Sequence, residues 1–86
     1  MRVYIPTPLR SYTKQSVVQA DGATLAALFH DLDRQFPGIR FRVINEQDDI
    51  REHLKLFVNQ RLAEDLGAPL KPGDEVRIVA AISGGS

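Results

Sequence analysis

The residues best suited to chemistry lie at the C-terminal end of the chain. Gly84 and Gly85 are adjacent, come shortly after an apolar run over residues 76–82, and precede Ser86. Glycine has no side chain to pack and costs backbone entropy to order, so such a pair adds little to a fold. The pair can instead enter a channel too narrow for other residues and bring a terminal carboxylate to a partner's active site. The alternative is a flexible end or a cloning remnant, because Gly-Gly-Ser is also common in linkers.

The composition limits the classes of function. The 86 residues suit one small domain, and 11 basic residues balance 11 acidic ones. This zero net charge gives no long-range attraction to nucleic acid or to anionic membranes, so we expect neither as a partner. The chain has no cysteine, which excludes disulfides, thiolate ligands and a cysteine nucleophile within it. No apolar stretch approaches the roughly 20 residues that span a bilayer. We expect a cytoplasmic protein.

Few other residues suggest a chemical site. His30 and His53 are isolated histidines without the spacing of paired ligands, so we predict no metal site and no cofactor. Arg40 and Arg42 flank Phe41, a pattern that can contact nucleic acid but that lacks a wider basic stripe. We interpret these three residues as a partner-binding edge, and we predict no catalytic residue in this chain.

Two kinds of periodicity predict the elements that position the tail. Alternation and β-branched residues indicate four strands, at residues 2–5, 15–20, 54–59 and 76–82. Apolar residues at helical spacing indicate one main helix over residues 24–35, closed by Pro37 and Gly38. The connection over residues 10–14 is expected to be a short hairpin loop. Residues 39–52 are expected to be mostly loop, with at most a short helical turn, and residues 63–67 suggest a brief helix.

This order of elements predicts an α+β fold in which the helix covers one face of a mixed sheet of four to five strands. If the first and last strands lie side by side in the middle, the sheet is a β-grasp. The predicted core combines strand and helix residues, namely Val3, Ile5, Val17, Leu56, Val58, Val76, Ile78, Leu25, Leu28, Phe29 and Leu32. Phe57, Arg77 and Val79 alternate against this set and are candidates for a partner surface on the exposed face.

Five segments in a fixed order resemble the ubiquitin-like sulfur carrier family that includes MoaD, ThiS and CysO. They are Ile-Pro-Thr-Pro-Leu-Arg at 5–10, Phe-Pro-Gly at 36–38, Phe-Val-Asn at 57–59, Leu-Lys-Pro-Gly-Asp-Glu-Val at 70–76, and Ile-Ser-Gly-Gly at 82–85. The first segment is most similar to the CysO type. The resemblance implies a β-grasp domain over residues 1–82, followed by a flexible tail over residues 83–86.

The resemblance also implies the chemistry. In such carriers an E1-like, ATP-dependent enzyme adenylates the terminal glycine carboxylate, and sulfur then displaces AMP to give a thiocarboxylate. Here the reacting carbonyl would be that of Gly85, with Gly84 in the partner's channel. The chain would be a carrier rather than an enzyme. A synthase would accept the sulfur, and the similarity to the CysO type favours the synthesis of cysteine or a related amino acid. Alternatives are a molybdopterin synthase small subunit, a carrier for a thio-metabolite, a ubiquitin-like protein modifier, and a noncovalent interaction domain whose tail is incidental.

Ser86 departs from the family pattern. It places the Gly85 carbonyl in a peptide bond, where no free oxygen can attack ATP. Adenylation of Ser86 instead would displace the reacting carbon by roughly 3.5 Å, too far for a positioned active site. We therefore expect a peptidase to remove Ser86, and the resemblance suggests a zinc-dependent enzyme of the JAMM type. The alternative is that Ser86 is a remnant of an expression vector.

Overall fold

Five strands form one mixed sheet in the computed structural model, which describes residues 1–80. The strands are β1 (Arg2–Tyr4), β2 (Val17–Gln19), β3 (Leu54–Val58), β4 (Arg61–Ala63) and β5 (Glu75–Ala80). Three α-helices accompany them in the described part, α1 (Arg10–Thr13), α2 (Leu25–Gln35) and α3 (Ile39–Val43), with a 3₁₀ turn at Thr7–Leu9. None of these helices is both long and apolar enough to cross a lipid bilayer.

The strand order is β2-β1-β5-β3-β4, so the first and the last strand are neighbours at the centre. β1 runs parallel to β5, with Arg2 opposite Glu75 and Val3 opposite Val76. β3 is antiparallel to β5, with Leu54 opposite Ala80 at the end of the pairing. This arrangement confirms the predicted α+β class and the β-grasp topology.

Helix α2 covers one face of the sheet, as predicted. It begins at a Thr24 cap, whose hydroxyl oxygen accepts a hydrogen bond of 3.3 Å from the Ala27 N–H. Its apolar stripe is fully buried and consists of Leu25, Leu28, Phe29 and Leu32. Gly22 lies directly against the helix, because a Cβ added there would be 2.4 Å from the Leu28 backbone nitrogen. The connection between β2 and α2 can approach the helix this closely only with glycine at position 22.

The core contains most of the predicted residues, with one error in β2. Val18, and not Val17, is buried there, because Val18 lies opposite Val3 and points to the same face as that core residue. Val17 is half-buried on the other face, so its place in the predicted core was wrong. Val58 is partly buried and packs against the core.

Helix α3 was not predicted as an element beyond a possible helical turn. It begins after Gly38, which has a left-handed backbone with φ of 96°, a conformation that glycine adopts without strain. Ile39 and Val43, four residues apart, are both fully buried. Residues 39–52 therefore contribute to the core and are not simply a surface loop.

β1 and β2 pair antiparallel, as the predicted hairpin requires, but the expected short loop over residues 10–14 was wrong, because Arg10–Thr13 form helix α1. Lys14 ends it in the left-handed conformation, with φ of 62°. The expected helix over residues 63–67 is wrong as well, because Ala63 is the last residue of β4. β3 and β4 join through Asn59 and Gln60, whose φ angles of 50° and 75° match the tight turn that suits a two-residue hairpin.

Candidate functional site: the outer sheet face and the base of the tail

The central strand β5 determines where the C-terminal tail begins. β1 pairs with it at Glu75, Val76 and Arg77, and β3 pairs with it as far as Ala80, which lies opposite Leu54. The predicted site residues Gly84, Gly85 and Ser86, and the predicted boundary between domain and tail, lie outside the described residues. Gly85 follows Ala80 by five positions, which corresponds to about 17 Å for a fully extended chain.

The turn before β5 is fixed by side-chain hydrogen bonds. The Asn59 amide donates to Asp74 Oδ1 at 2.8 Å, and the Asn59 amide oxygen accepts from the Glu75 N–H at 2.9 Å. The Lys71 N–H donates to Asp74 Oδ2 at 2.8 Å. This backbone hydrogen bond, followed by that from Asn59, lowers the pKa of the Asp74 carboxyl below its usual value. The start of β5 is thus tied to the β3–β4 turn.

One residue from each strand forms a continuous line across the face of the sheet that α2 does not cover. In strand order the residues are Val17, Tyr4, Arg77, Phe57 and Leu62, each directly opposite the next. We call this set the outer row. Leu62 is 49% exposed and is among the most exposed large apolar side chains of the described residues. The outer row thus combines three half-buried side chains, Val17, Tyr4 and Phe57, with the exposed Arg77 and Leu62.

The centre of the outer row is a stacked pair. The Arg77 guanidinium carbon lies 4.1 Å from the centroid of the Tyr4 ring, which is a cation–π contact. The Tyr4 hydroxyl donates to Glu75 Oε2 at 3.4 Å, and Arg2 Nη1 donates to the same oxygen at 3.3 Å. Within residues 1–80, Arg77 forms no ion pair. Among the described residues, the Arg77 charge of the outer row is therefore contacted by an aromatic ring and by no carboxylate.

The structure places the three predicted partner-surface residues on this same face. Arg77 is exposed, Phe57 is half-buried beside it, and Val79 is 36% exposed one position nearer the tail. Sequence reasoning missed Tyr4 and Leu62. Tyr4 could have been found, because it follows the buried Val3 in β1 and must therefore point to the opposite face. Leu62 could be assigned to this face only if β4 were first recognised as a strand. The role of these residues in partner binding stays a prediction.

The other candidate residues, Arg40 and Arg42, make contacts in different parts of the structure. Arg40 turns toward Asp48, with Nη2 3.0 Å from a carboxylate oxygen, while Arg42 Nε donates to the Tyr12 hydroxyl at 2.7 Å. Arg40 and Arg42 therefore contact different neighbours, and the prediction that residues 40–42 form a single partner-binding edge was wrong. Across residues 1–80, no group of three or more histidine and acidic residues has the geometry to hold a metal ion.

A comparison with protein families decides the identification. The model described as the ThiS family matches residues 3–85, a span that includes both tail glycines. The chain belongs to the ThiS family. Sulfur carrier protein CysO of Mycobacterium tuberculosis and that of Mycobacterium bovis are each 35% identical over 89 residues, covering 96% of this chain and 96% of the relative. The predicted resemblance to the CysO type is confirmed.

Solved structures agree with the fold assignment. A complex of BexX and CysO from Amycolatopsis orientalis matches with a TM-score of 0.89 at 31% identity, covering 96% of this chain and 97% of that one. Small archaeal modifier protein 1 of H. volcanii matches with a TM-score of 0.82, 95% of this chain and 97% of that one being covered, but at 21% identity it shows the fold alone. The CysO relatives are named carriers, which agrees with the prediction that this chain is not an enzyme.

Proposed function

We propose that this ThiS-family chain is a sulfur carrier that works through the carbonyl of Gly85. The observation that carries the proposal is the match that extends through both tail glycines, together with full-length similarity to sulfur carrier proteins of the CysO type. In support, the described domain offers a central strand that leads to the tail and the outer row beside it.

The proposed reaction has two steps on one carbon. A Gly85 carboxylate oxygen attacks the α-phosphorus of ATP, forming an acyl adenylate and releasing pyrophosphate. A hydrosulfide group from a sulfur donor then attacks the same carbonyl carbon, and AMP leaves with the electron pair of the carbon–oxygen bond. The product is a C-terminal thiocarboxylate. ATP and the sulfur donor are held by an E1-like adenylating enzyme, and a sulfur-accepting synthase receives the product for cysteine or a related amino acid.

Ser86 must be absent for this chemistry. While Ser86 is attached, the Gly85 carbonyl carbon is an amide and has no oxygen free to attack phosphorus. We therefore propose that a peptidase, of the zinc-dependent JAMM type, hydrolyses the Gly85–Ser86 bond before activation. Gly84 would then occupy the narrow part of the enzyme's channel, where a Cβ would collide with the channel wall.

The partner enzyme would dock on the outer row. Tyr4, Arg77 and Phe57 lie side by side there, and aromatic and arginine side chains are the residues that most often dominate binding energy at protein interfaces. Val79 lies on the same face, one step nearer the tail.

The test uses a chain that ends at Gly85, incubated with an E1-like enzyme from the same genome, ATP and sulfide. Intact-mass spectrometry should show one oxygen replaced by one sulfur. The chain that retains Ser86 should show no change, and Gly84→Ala should react much more slowly. A trimmed chain that never gains sulfur refutes the proposal. Lysine conjugates in place of the sulfur product would identify a protein modifier instead.

A further inference from the structure

A cleft lies at the end of the sheet where the tail begins. Its volume is about 460 Å³. The lining residues that matter here are Tyr12, Phe41, Arg42, Arg51, His53 and Ala80. They come from α1, α3, the segment before β3 and the last residue of β5. We call this feature the tail-side cleft.

Two arginines of the tail-side cleft are held in place through one nitrogen each. Arg51 Nε donates to the Phe41 carbonyl oxygen at 2.9 Å, and its guanidinium carbon lies 4.8 Å from the centroid of the Phe41 ring. Arg42 Nε donates to the Tyr12 hydroxyl at 2.7 Å, and its guanidinium carbon lies 5.9 Å from that ring's centroid. Arginine has five N–H donors, so each side chain keeps its terminal donors for another group.

The tail-side cleft has an uncompensated positive charge. None of its described lining residues is acidic, and neither Arg42 nor Arg51 forms an ion pair within residues 1–80. Phe41 is 51% exposed at its rim, the largest exposure of the bulky apolar residues described. Guanidinium groups oriented by aromatic rings bind carboxylates in bidentate geometry. The cleft thus combines two oriented cations with an exposed aromatic contact.

The position of the tail-side cleft indicates which kind of partner would bind there. Ala80 lines it and is also the last residue that the structure describes, five positions before Gly85. The tail is about 17 Å long from Ala80 to Gly85 at full extension, so any protein that grips Gly85 must come close to this end of the sheet. Such a protein would lie against the tail-side cleft as well as the outer row.

We propose that the tail-side cleft receives an acidic loop, with at least two neighbouring carboxylates, of the enzyme that acts on Gly85. The identity of the partner rests on the proposed function, whereas the acidic character of the occupant rests on the cleft alone. Nucleic acid suits the cleft less well, because two arginines with zero net charge over the chain make no basic track. The chain's own tail is the other candidate occupant, and the experiment separates it.

The first test needs no sulfur chemistry. Capped peptides Gly-Glu-Asp-Glu-Gly and Gly-Gln-Asn-Gln-Gly are titrated into the ¹⁵N-labelled full chain at low and high salt. The acidic peptide should shift the amides of Tyr12, Phe41 and Arg51, and the amide-for-acid peptide should not. Arg42→Glu should abolish the shifts. Arg61→Glu, an exposed charge reversal near the opposite end of β5, should leave them intact.

Each other outcome counts against the proposal. Equal shifts with both peptides, or no shifts, overturn it. Tighter binding of an oligothymidine than of the acidic peptide assigns the cleft to nucleic acid instead. If cleft shifts appear only after residues 81–86 are deleted, the chain's own tail is the occupant. Arg42→Glu is decisive because Arg42 is exposed, and Arg51→Gln serves as a second variant whose folding is checked by thermal unfolding.

The second test measures adenylation by ATP–pyrophosphate exchange. Arg42→Glu should raise the KM for the carrier about tenfold with little change in kcat, while Arg61→Glu should match the wild type. If the wild type is adenylated and Arg42→Glu behaves like Arg61→Glu, the cleft proposal fails and the proposed function stands. If the acidic peptide binds in the cleft but no trimmed chain is adenylated, the proposed function fails and only the acidic specificity of the cleft survives.

Discussion

Replacing Arg77 by alanine separates the contribution of the outer row to stability from its contribution to partner binding. The contact between Arg77 and the Tyr4 ring is exposed, with 4.1 Å between guanidinium carbon and ring centroid. Such contacts contribute about 0.5–1 kcal/mol, so Arg77→Ala should reduce the free energy of unfolding by no more than this. A central arginine of an interface commonly contributes at least about 1–2 kcal/mol to binding, which corresponds to a five- to thirtyfold weaker Kd.

The assay combines urea unfolding with calorimetric binding of the trimmed carrier to its adenylating enzyme. Arg61→Ala is the matched control, because Arg61 is an exposed arginine that stacks on no ring in the described part of the chain. A double-mutant cycle with Tyr4→Leu should give a coupling free energy of about 0.5–1 kcal/mol in unfolding. If Arg77→Ala binds the enzyme as tightly as Arg61→Ala does, the outer row is not the docking surface.

Three further predictions concern the domain that carries the tail. Leu28→Ala should lower the free energy of unfolding, measured in urea, by about 2–5 kcal/mol because Leu28 is fully buried. Leu62→Ala should lower it by less than about 1 kcal/mol because Leu62 is 49% exposed. Similar losses for both variants would contradict the assigned core. Gly22→Ala should destabilise by at least about 1–3 kcal/mol, because its Cβ would sit 2.4 Å from a backbone nitrogen; a neutral effect on the thermal midpoint would show that this approach is looser than described. The pKa of Asp74 is lowered mainly by the Lys71 N–H, so its contribution to stability is present above the ordinary carboxyl pKa and is lost as pH falls through the lowered value. Asp74→Asn should flatten the pH dependence of unfolding in that acidic range, and an unchanged profile would refute this assignment.

Regular periods explain which elements could be predicted from sequence. The apolar residues of α2 recur at helical spacing in the sequence. In β3 and β5 buried residues such as Leu56 and Ile78 alternate with more exposed ones, so the helix and both strands were predicted. β2 has two adjacent valines, which carry no period, and only its pairing with β1 decides that Val18 faces the core. β4 has three residues at an edge of the sheet, with burial too slight to leave a pattern.

The candidate site was predictable to different degrees. The tail glycines and the outward face of β5 follow from local sequence, which is why Arg77 and Val79 were named. The tail-side cleft could not be found in this way, because Tyr12, Arg42 and Arg51 are brought together only by the packing of α1 and α3. No local pattern records that contact.

The central position of β5 has a consequence for how the protein is made. The side chains of Arg2 and Glu75 meet across 73 positions of sequence, and β3 lacks one of its two neighbours until β5 is present. Contacts of such long sequence separation form late and slowly. During translation the sheet cannot close until the ribosome has released the strand that carries the tail. The surface formed by β1, β5 and β3 together therefore exists only after β5 has paired with both of its neighbours.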